Sequence, residues 1–137
     1  MTYAGDVTPA AAWAALAGDP TAVLVDVRTR AEWSYVGVPD LRAAGKEAVL
    51  VEWQRYPSGT ANPGFLDELT AAGVDRATPV YFLCRSGVRS VAAAEAATAA
   101  GWTSAHNVLD GFEGPHDGQQ HRAVAGWKVA GLPWVQA

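Results

Sequence analysis

Cysteine is almost absent from this chain: there is one, Cys84, among 137 residues. A single thiol excludes an intramolecular disulfide and a zinc site built on four cysteines. It suits a reducing compartment, and the cytoplasm is the expected location. Histidine is scarce as well. His106, His116 and His121 stand at no spacing that suits a metal-binding helix or finger. The last two lie in a Gly/Gln-rich stretch that reads as exposed loop. Charged residues make up only 18% of the chain, with a formal net charge of −4 and a pI near 5.2. That balance argues against nucleic acid or an anionic membrane as the main partner. No apolar run approaches the roughly 18 residues that span a bilayer. The N-terminal stretch from Met1 to Asp6 lacks a basic segment followed by an apolar one, so no secretory signal is expected.

Half of the residues are hydrophobic, enough for an ordinary buried core. The length predicts a single domain over residues 1–137, with an irregular C-terminal segment from about residue 113. Thr8-Pro9 followed by Ala10 to Ala17 predicts a capped helix with proline in its first turn, stopped by Gly18-Asp19-Pro20. Ala22 to Asp26 is a short apolar run of the kind buried in a parallel sheet. Thr29 and Glu32 have the spacing of a capping box, opening a short helix to about Val36.

Ala48 to Val51 predicts another brief strand, and the Pro- and Gly-rich stretch from Glu52 to Gly64 a long surface loop. Phe65 to Ala72 predicts a helix and Pro79 to Leu83 the strongest strand. Val91 to Ala100 predicts an Ala-rich helix closed by Gly101, and Ser104 to Leu109 a further strand. A last short helix is expected near Ala123 to Ala130. Strands alternating with helices imply a mostly parallel sheet covered on both faces, with ligands beyond the carboxyl ends of its strands.

Cys84 stands at such an end. After Leu83, the segment Cys84-Arg85-Ser86-Gly87-Val88-Arg89 makes a glycine-containing turn, and a helix is expected to begin near Ser90. Backbone N–H groups in such a turn converge into an anion-binding nest, and the helix N-terminus adds positive potential aimed the same way. Arg85 and Arg89 flank the turn. Each feature favours thiolate over thiol, which is the environment of a nucleophile. A merely structural cysteine at a strand end is the plain alternative. Asp26 and Glu32 are placed to orient the arginines by ion pairs, and Arg28 shares that supporting role. Trp53, Tyr56, Trp127 and Trp134 either pack irregular segments onto the core or anchor a protein partner.

The segment Cys84 to Arg89 resembles the six-residue active-site loop of rhodaneses. Asp26-Val27-Arg28 is similar to the Asp-x-Arg that ends the family's early strand. Ala31-Glu32-Trp33 with Gly37 is similar to its Glu-aromatic-then-Gly segment. Asn107 to Phe112 resembles the strand-to-turn segment after the active-site helix, and Gly126-Trp127 with Gly131-Leu132-Pro133 the closing motif. The likeness runs from Thr8 to Trp134. It departs at Gly37-Val38-Pro39, where many members have Gly-His-Ile.

The resemblance implies a three-layer α/β/α fold with about five short strands. It also implies transfer of sulfane sulfur through a Cys84 persulfide cradled by Arg85, Ser86, Gly87, Val88 and Arg89. No metal or organic cofactor is implied. The donor would be a small anion such as thiosulfate or a persulfide. With no second cysteine, the acceptor would be an external thiol, a protein cysteine or cyanide. Cysteine phosphatases and arsenate reductases instead place arginine six residues after the nucleophile, where this chain has Ser90. Leu83 also stands where they carry histidine. A non-catalytic or sulfur-carrier interaction module is the other alternative.

Overall fold

The computed structural model describes residues 3–55, 58–85, 88–114 and 126–135. Twelve elements follow one another along them. They are β1 (Gly5–Val7), α1 (Pro9–Gly18), β2 (Val23–Asp26), α2 (Arg30–Tyr35), β3 (Val38–Pro39), a 3-10 turn (Arg42–Ala44), β4 (Val49–Leu50), α3 (Phe65–Ala71), β5 (Val80–Leu83), α4 (Val88–Ala99), β6 (Ala105–Val108) and β7 (Trp134–Val135). Five strands form one sheet in the order β1-β6-β5-β2-β4, every neighbouring pair parallel. β3 and β7 make a separate antiparallel pair.

β5 lies at the centre and is buried along its whole length, as a β-branched and aromatic run between two parallel neighbours should be. Its alternation splits the core. Val80, Phe82 and Cys84 face one side, among Phe65 and Leu69 of α3 and Ala93, Ala94 and Ala97 of α4. Tyr81 and Leu83 face the other, among Ala12 and Leu16 of α1 with Phe112 and Trp127. The result is a sheet between two helical layers.

Local chemistry sets the helix starts. The Thr8 hydroxyl accepts the Ala11 N–H at 3.1 Å, and Pro9 occupies the first turn of α1, where its missing N–H has no helical use. The Thr29–Glu32 capping box is formed, and α2 ends at Tyr35, with Val36 as its C-cap before Gly37. α4 begins at Val88, three residues earlier than the expected Val91, so Arg89 and Ser90 belong to its first turn. Its buried positions Ser90, Ala93, Ala94 and Ala97 share one helical face, and these small side chains let the helix lie close on the sheet.

Three features escape the sequence reading. β1 is only three residues long, too short to read from its sequence, and holds its place through backbone hydrogen bonds to the β6 segment (Ala4 N–H to Ala105 O and Leu109 N–H to Val7 O, both 2.8 Å). β3 and β7 are two residues each and pair across almost the whole chain. Residues 126–130 form turns instead of the expected helix, because Gly126 at φ +106° and Gly131 at φ +77° break the helical backbone. Residues 123–125 of that expected helix, like Tyr56, His116 and His121, lie outside the described residues. No helix among the described residues is long and apolar enough to cross a membrane.

Candidate active site around Cys84

Cys84 follows the last residue of β5, level with the end of β2: Leu83 pairs with Asp26, and the Val27 N–H donates to the Leu83 carbonyl at 2.8 Å. The thiol is buried. Its Sγ lies 3.2 Å from Oγ of Ser90, in the first turn of α4. The positive end of a twelve-residue helix is therefore within one hydrogen bond of the sulfur. Ser86 and Gly87, the middle of the expected loop, lie outside the described residues.

Arg85 is exposed, and its side chain helps line a cleft of about 460 Å³ beside the loop. Arg89 lines the same cleft, with Glu32 and Tyr35 of α2 and Val36 just after it. Val88 is 78% exposed and makes no part of the core.

Arg89 does not stand free to grip an anion with its whole fork. Its Nη1 donates to Glu32 Oε1 at 2.6 Å and its Nη2 to Oε2 at 2.9 Å. The capping box supplies this acceptor, because Glu32 Oε1 also accepts from the Thr29 N–H at 3.1 Å and so cannot swing away. Burial works against the charge on Glu32, but the hydrogen bonds from Arg89 and Thr29 prevail and hold its carboxyl down to about 2. Burial likewise opposes the charge on Arg89, and the bond to Glu32 with the nearby charges of Glu32, Cys84 and Asp26 keeps its pKa raised.

Asp26 pairs with Arg28. The Arg28 Nε donates to Asp26 Oδ1 at 2.9 Å and Nη2 donates to Oδ2 at 2.6 Å, with both side chains fully buried. Arg28 Nη2 also donates to the Gly37 carbonyl at 2.7 Å, and the guanidinium lies 4.2 Å from the centre of the Phe112 ring. This pair ties three segments together beneath the site, and neither residue lines the cleft.

The turn after β6, which the sequence reading matched to the family's strand-to-turn segment without giving it a role at the site, supports the Cys84 loop. The Phe112 N–H donates to the Cys84 carbonyl at 2.8 Å, and the Glu113 and Gly114 N–H groups donate to the Arg85 carbonyl at 3.0 and 3.1 Å. Gly111, at φ +62°, passes so close beneath the loop that a Cβ there would overlap the Cys84 carbonyl and stand 2.6 Å from the Arg85 carbonyl oxygen. The Asp110-Gly111 pair was the visible signal, since two consecutive left-handed residues demand that kind of sequence. Among the described residues no group of three or more His, Cys, Asp or Glu is gathered where it could hold a metal ion.

The family model described as the STR4 middle domain matches residues 4–137. An uncharacterized protein of Rickettsia conorii is 38% identical over 120 residues, covering 87% of each chain. Rhodanese-like domain-containing protein 4 of Arabidopsis thaliana, named as chloroplastic, is 32% identical over 126 residues, which are 91% of this chain but 24% of the plant protein. The crystal structure of Rv0390 from M. tuberculosis superposes with a TM-score of 0.90 at 56% identity, covering 98% of this chain and 99% of that one. The solution structure of the polysulfide-sulfur transferase homodimer of Wolinella succinogenes shares the fold, with a TM-score of 0.67 at 20% identity over 96% of this chain and 78% of that one.

Proposed function

The chain belongs to the rhodanese-like family, and from that premise we propose that it moves sulfane sulfur through a persulfide on Cys84. One observation carries the reading. The lone thiol sits where a central strand meets the positive end of α4, beside a cleft lined by Arg85 and Arg89.

The Cys84 thiolate attacks the outer sulfur of a small anionic donor such as thiosulfate. The donor's S–S bond breaks, its electron pair leaves with the first product, and the sulfur stays on Cys84. Arg85 attracts the donor, and the helix end offsets the charge of the persulfide. A thiolate or cyanide acceptor then takes the outer sulfur and returns the electron pair to Sγ. The acceptor is an outside molecule, because the chain holds no second cysteine to resolve the persulfide. A reducing compartment such as the cytoplasm suits a thiol that must remain unoxidised. The spacing of Arg89 favours sulfur over phosphate, and its bidentate bond to Glu32 leaves less of the fork for a tetrahedral oxyanion.

Intact-protein mass measurement after incubation with thiosulfate tests the reading. The expected result is a gain of one sulfur atom, removed by cyanide and absent from Cys84→Ala. If neither thiosulfate, a persulfide nor mercaptopyruvate loads the wild type, the catalytic reading falls and an interaction module takes its place. Cys84-dependent hydrolysis of a phenyl phosphate ester would instead favour phosphatase chemistry.

A further inference from the structure

Behind Cys84 runs a line of hydrogen bonds that the two-step exchange above does not use. The Ser90 hydroxyl donates to Asn107 Oδ1 at 2.6 Å, and Asn107 Nδ2 donates to Asp6 Oδ1 at 3.1 Å. The Tyr3 hydroxyl donates to the same Asp6 oxygen at 2.8 Å. Three elements that meet only in the folded sheet supply the links: Asp6 on β1, Asn107 on β6 and Ser90 on α4. Ser90 is fully buried and Asn107 is 2% exposed, so water does not readily replace these partners.

The chemistry of the chain is directional. A carboxylate only accepts, so Asp6 holds the amide of Asn107 with its nitrogen outward and its Oδ1 turned to Ser90. A serine hydroxyl has one proton and two lone pairs. While its proton is on Asn107, Ser90 presents a lone pair to Sγ and accepts from the Cys84 thiol. Once the sulfur is anionic, the same hydroxyl gains more by rotating its proton onto Sγ, because a hydrogen bond to a charged acceptor is about twice as strong as one between neutral groups. The Sγ–Oγ distance of 3.2 Å serves both arrangements.

We propose that Ser90 is a positioning residue whose hydroxyl alternates between Asn107 and the Cys84 sulfur. It thereby stabilises the thiolate before sulfur uptake and again when the sulfur leaves. The second half rests on the persulfide reading. When the acceptor thiolate attacks the outer sulfur, the S–S bond breaks and its electron pair returns to Sγ. The Ser90 proton then faces the charge that appears there. No proton is gained or lost; the hydroxyl only turns. Asn107 competes for that proton, so the two residues act on the sulfur with opposite sign.

This opposition is the test. With one cysteine in the chain, ultraviolet thiolate absorbance against a Cys84→Ala blank reports on that sulfur alone, followed between pH 4 and 9. The charged groups on the elements packed around it are Arg85 on the loop, Arg89 on α4 with Glu32 on α2, Asp26 on β2 with Arg28, and Asp6 on β1. None of the three substitutions below removes a charge, and Asn107→Leu alone takes a hydrogen bond from one of these groups, Asp6.

Ser90→Ala is expected to move the absorbance curve to higher pH by about one unit, a tenfold change in the thiol–thiolate ratio. Asn107→Leu is expected to move it to lower pH, since the thiol form alone loses the Asn107 bond. Ser90→Thr, which keeps the hydroxyl, should restore the wild-type curve. Cyanide discharge of a preformed persulfide should slow about tenfold in Ser90→Ala and not in Asn107→Leu. Shifts of the same sign in Ser90→Ala and Asn107→Leu, or no shift in either, would overturn the proposal. Should Ser90→Ala fail to fold, the Asn107→Leu curve decides alone: a lower-pH shift supports the rotation, and any other result refutes it. Because the curve needs no sulfur donor, it can stand where sulfur loading fails, and it can fail where loading succeeds.

Discussion

Single side chains divide here into those that meet the Cys84 sulfur and those that hold the meeting place. Arg28 belongs to the second group. Its planar fork serves Asp26 and Gly37 at once while its face covers Phe112. A lysine offers no such fork, so Arg28→Lys should lower the unfolding free energy by about 2 kcal/mol or more, read from the urea midpoint. Glu32 makes a pH-dependent contribution. Its carboxyl falls from an ordinary 4.5 to about 2 in the fold. The stabilisation is therefore complete above pH 4.5 and is lost as pH falls towards 2. Allowing for solvent screening, it amounts to about 1–2 kcal/mol. Glu32→Gln should flatten the stability profile across that window in acid unfolding followed by circular dichroism, and should leave Arg89 free to move into the cleft.

Among the elements, the turn after β6 is the buttress of the Cys84 loop. Its N–H groups hold the Cys84 and Arg85 carbonyls, and its glycine leaves no room for a side chain. Gly111→Ala adds a methyl group against that backbone at a positive φ. It should cost more than about 1 kcal/mol in denaturant unfolding. It should also slow sulfur loading by thiosulfate, because the strand end must shift to admit the methyl. A substitution that touches neither this turn nor the residues bonded to it, with the same loss of stability, would leave the loading rate alone. The capping box behaves differently: Thr29→Ala should remove about 1 kcal/mol of stability. It also releases one of the hydrogen bonds that fix Glu32 against Arg89.

Across the whole molecule, the segment 126–135 closes one face of the sheet. Trp127 is fully buried, stands edge-on to Trp13 with ring centres 6.1 Å apart, and donates its indole N–H to the Pro133 carbonyl at 2.7 Å. Its backbone N–H donates to Gly111, so the tail grips the same turn that supports Cys84. Trp127→Ala should lower stability by about 3–5 kcal/mol, measured by urea unfolding, and should reduce sulfur loading through the loosened turn. Trp134 is 40% exposed and lies under the Lys128 ammonium at 3.8 Å, so it contributes far less to the core.

Much of this was legible from short stretches. Pro79 to Leu83 reads as the strongest strand and Thr29 with Glu32 as a capping box, and both are formed; the count from Cys84 to Arg89 is what favours the proposed sulfur chemistry over phosphate chemistry. Such signals are local: each depends on residues within a few positions of one another, and the backbone obeys them whatever surrounds it. Tertiary structure alone paired Arg89 with Glu32, 57 residues away, where the sequence left Asp26 equally open. It alone put Asn107 beside Asp6 across 101 residues, laid Gly111 under the loop, and brought the short β1, β3 and β7 to partners that no periodicity foretold. Side chains that meet only after the chain has closed leave no spacing to read. The proposed chemistry of Cys84 is thus written beside it, and the groups proposed to tune it are brought there by the fold.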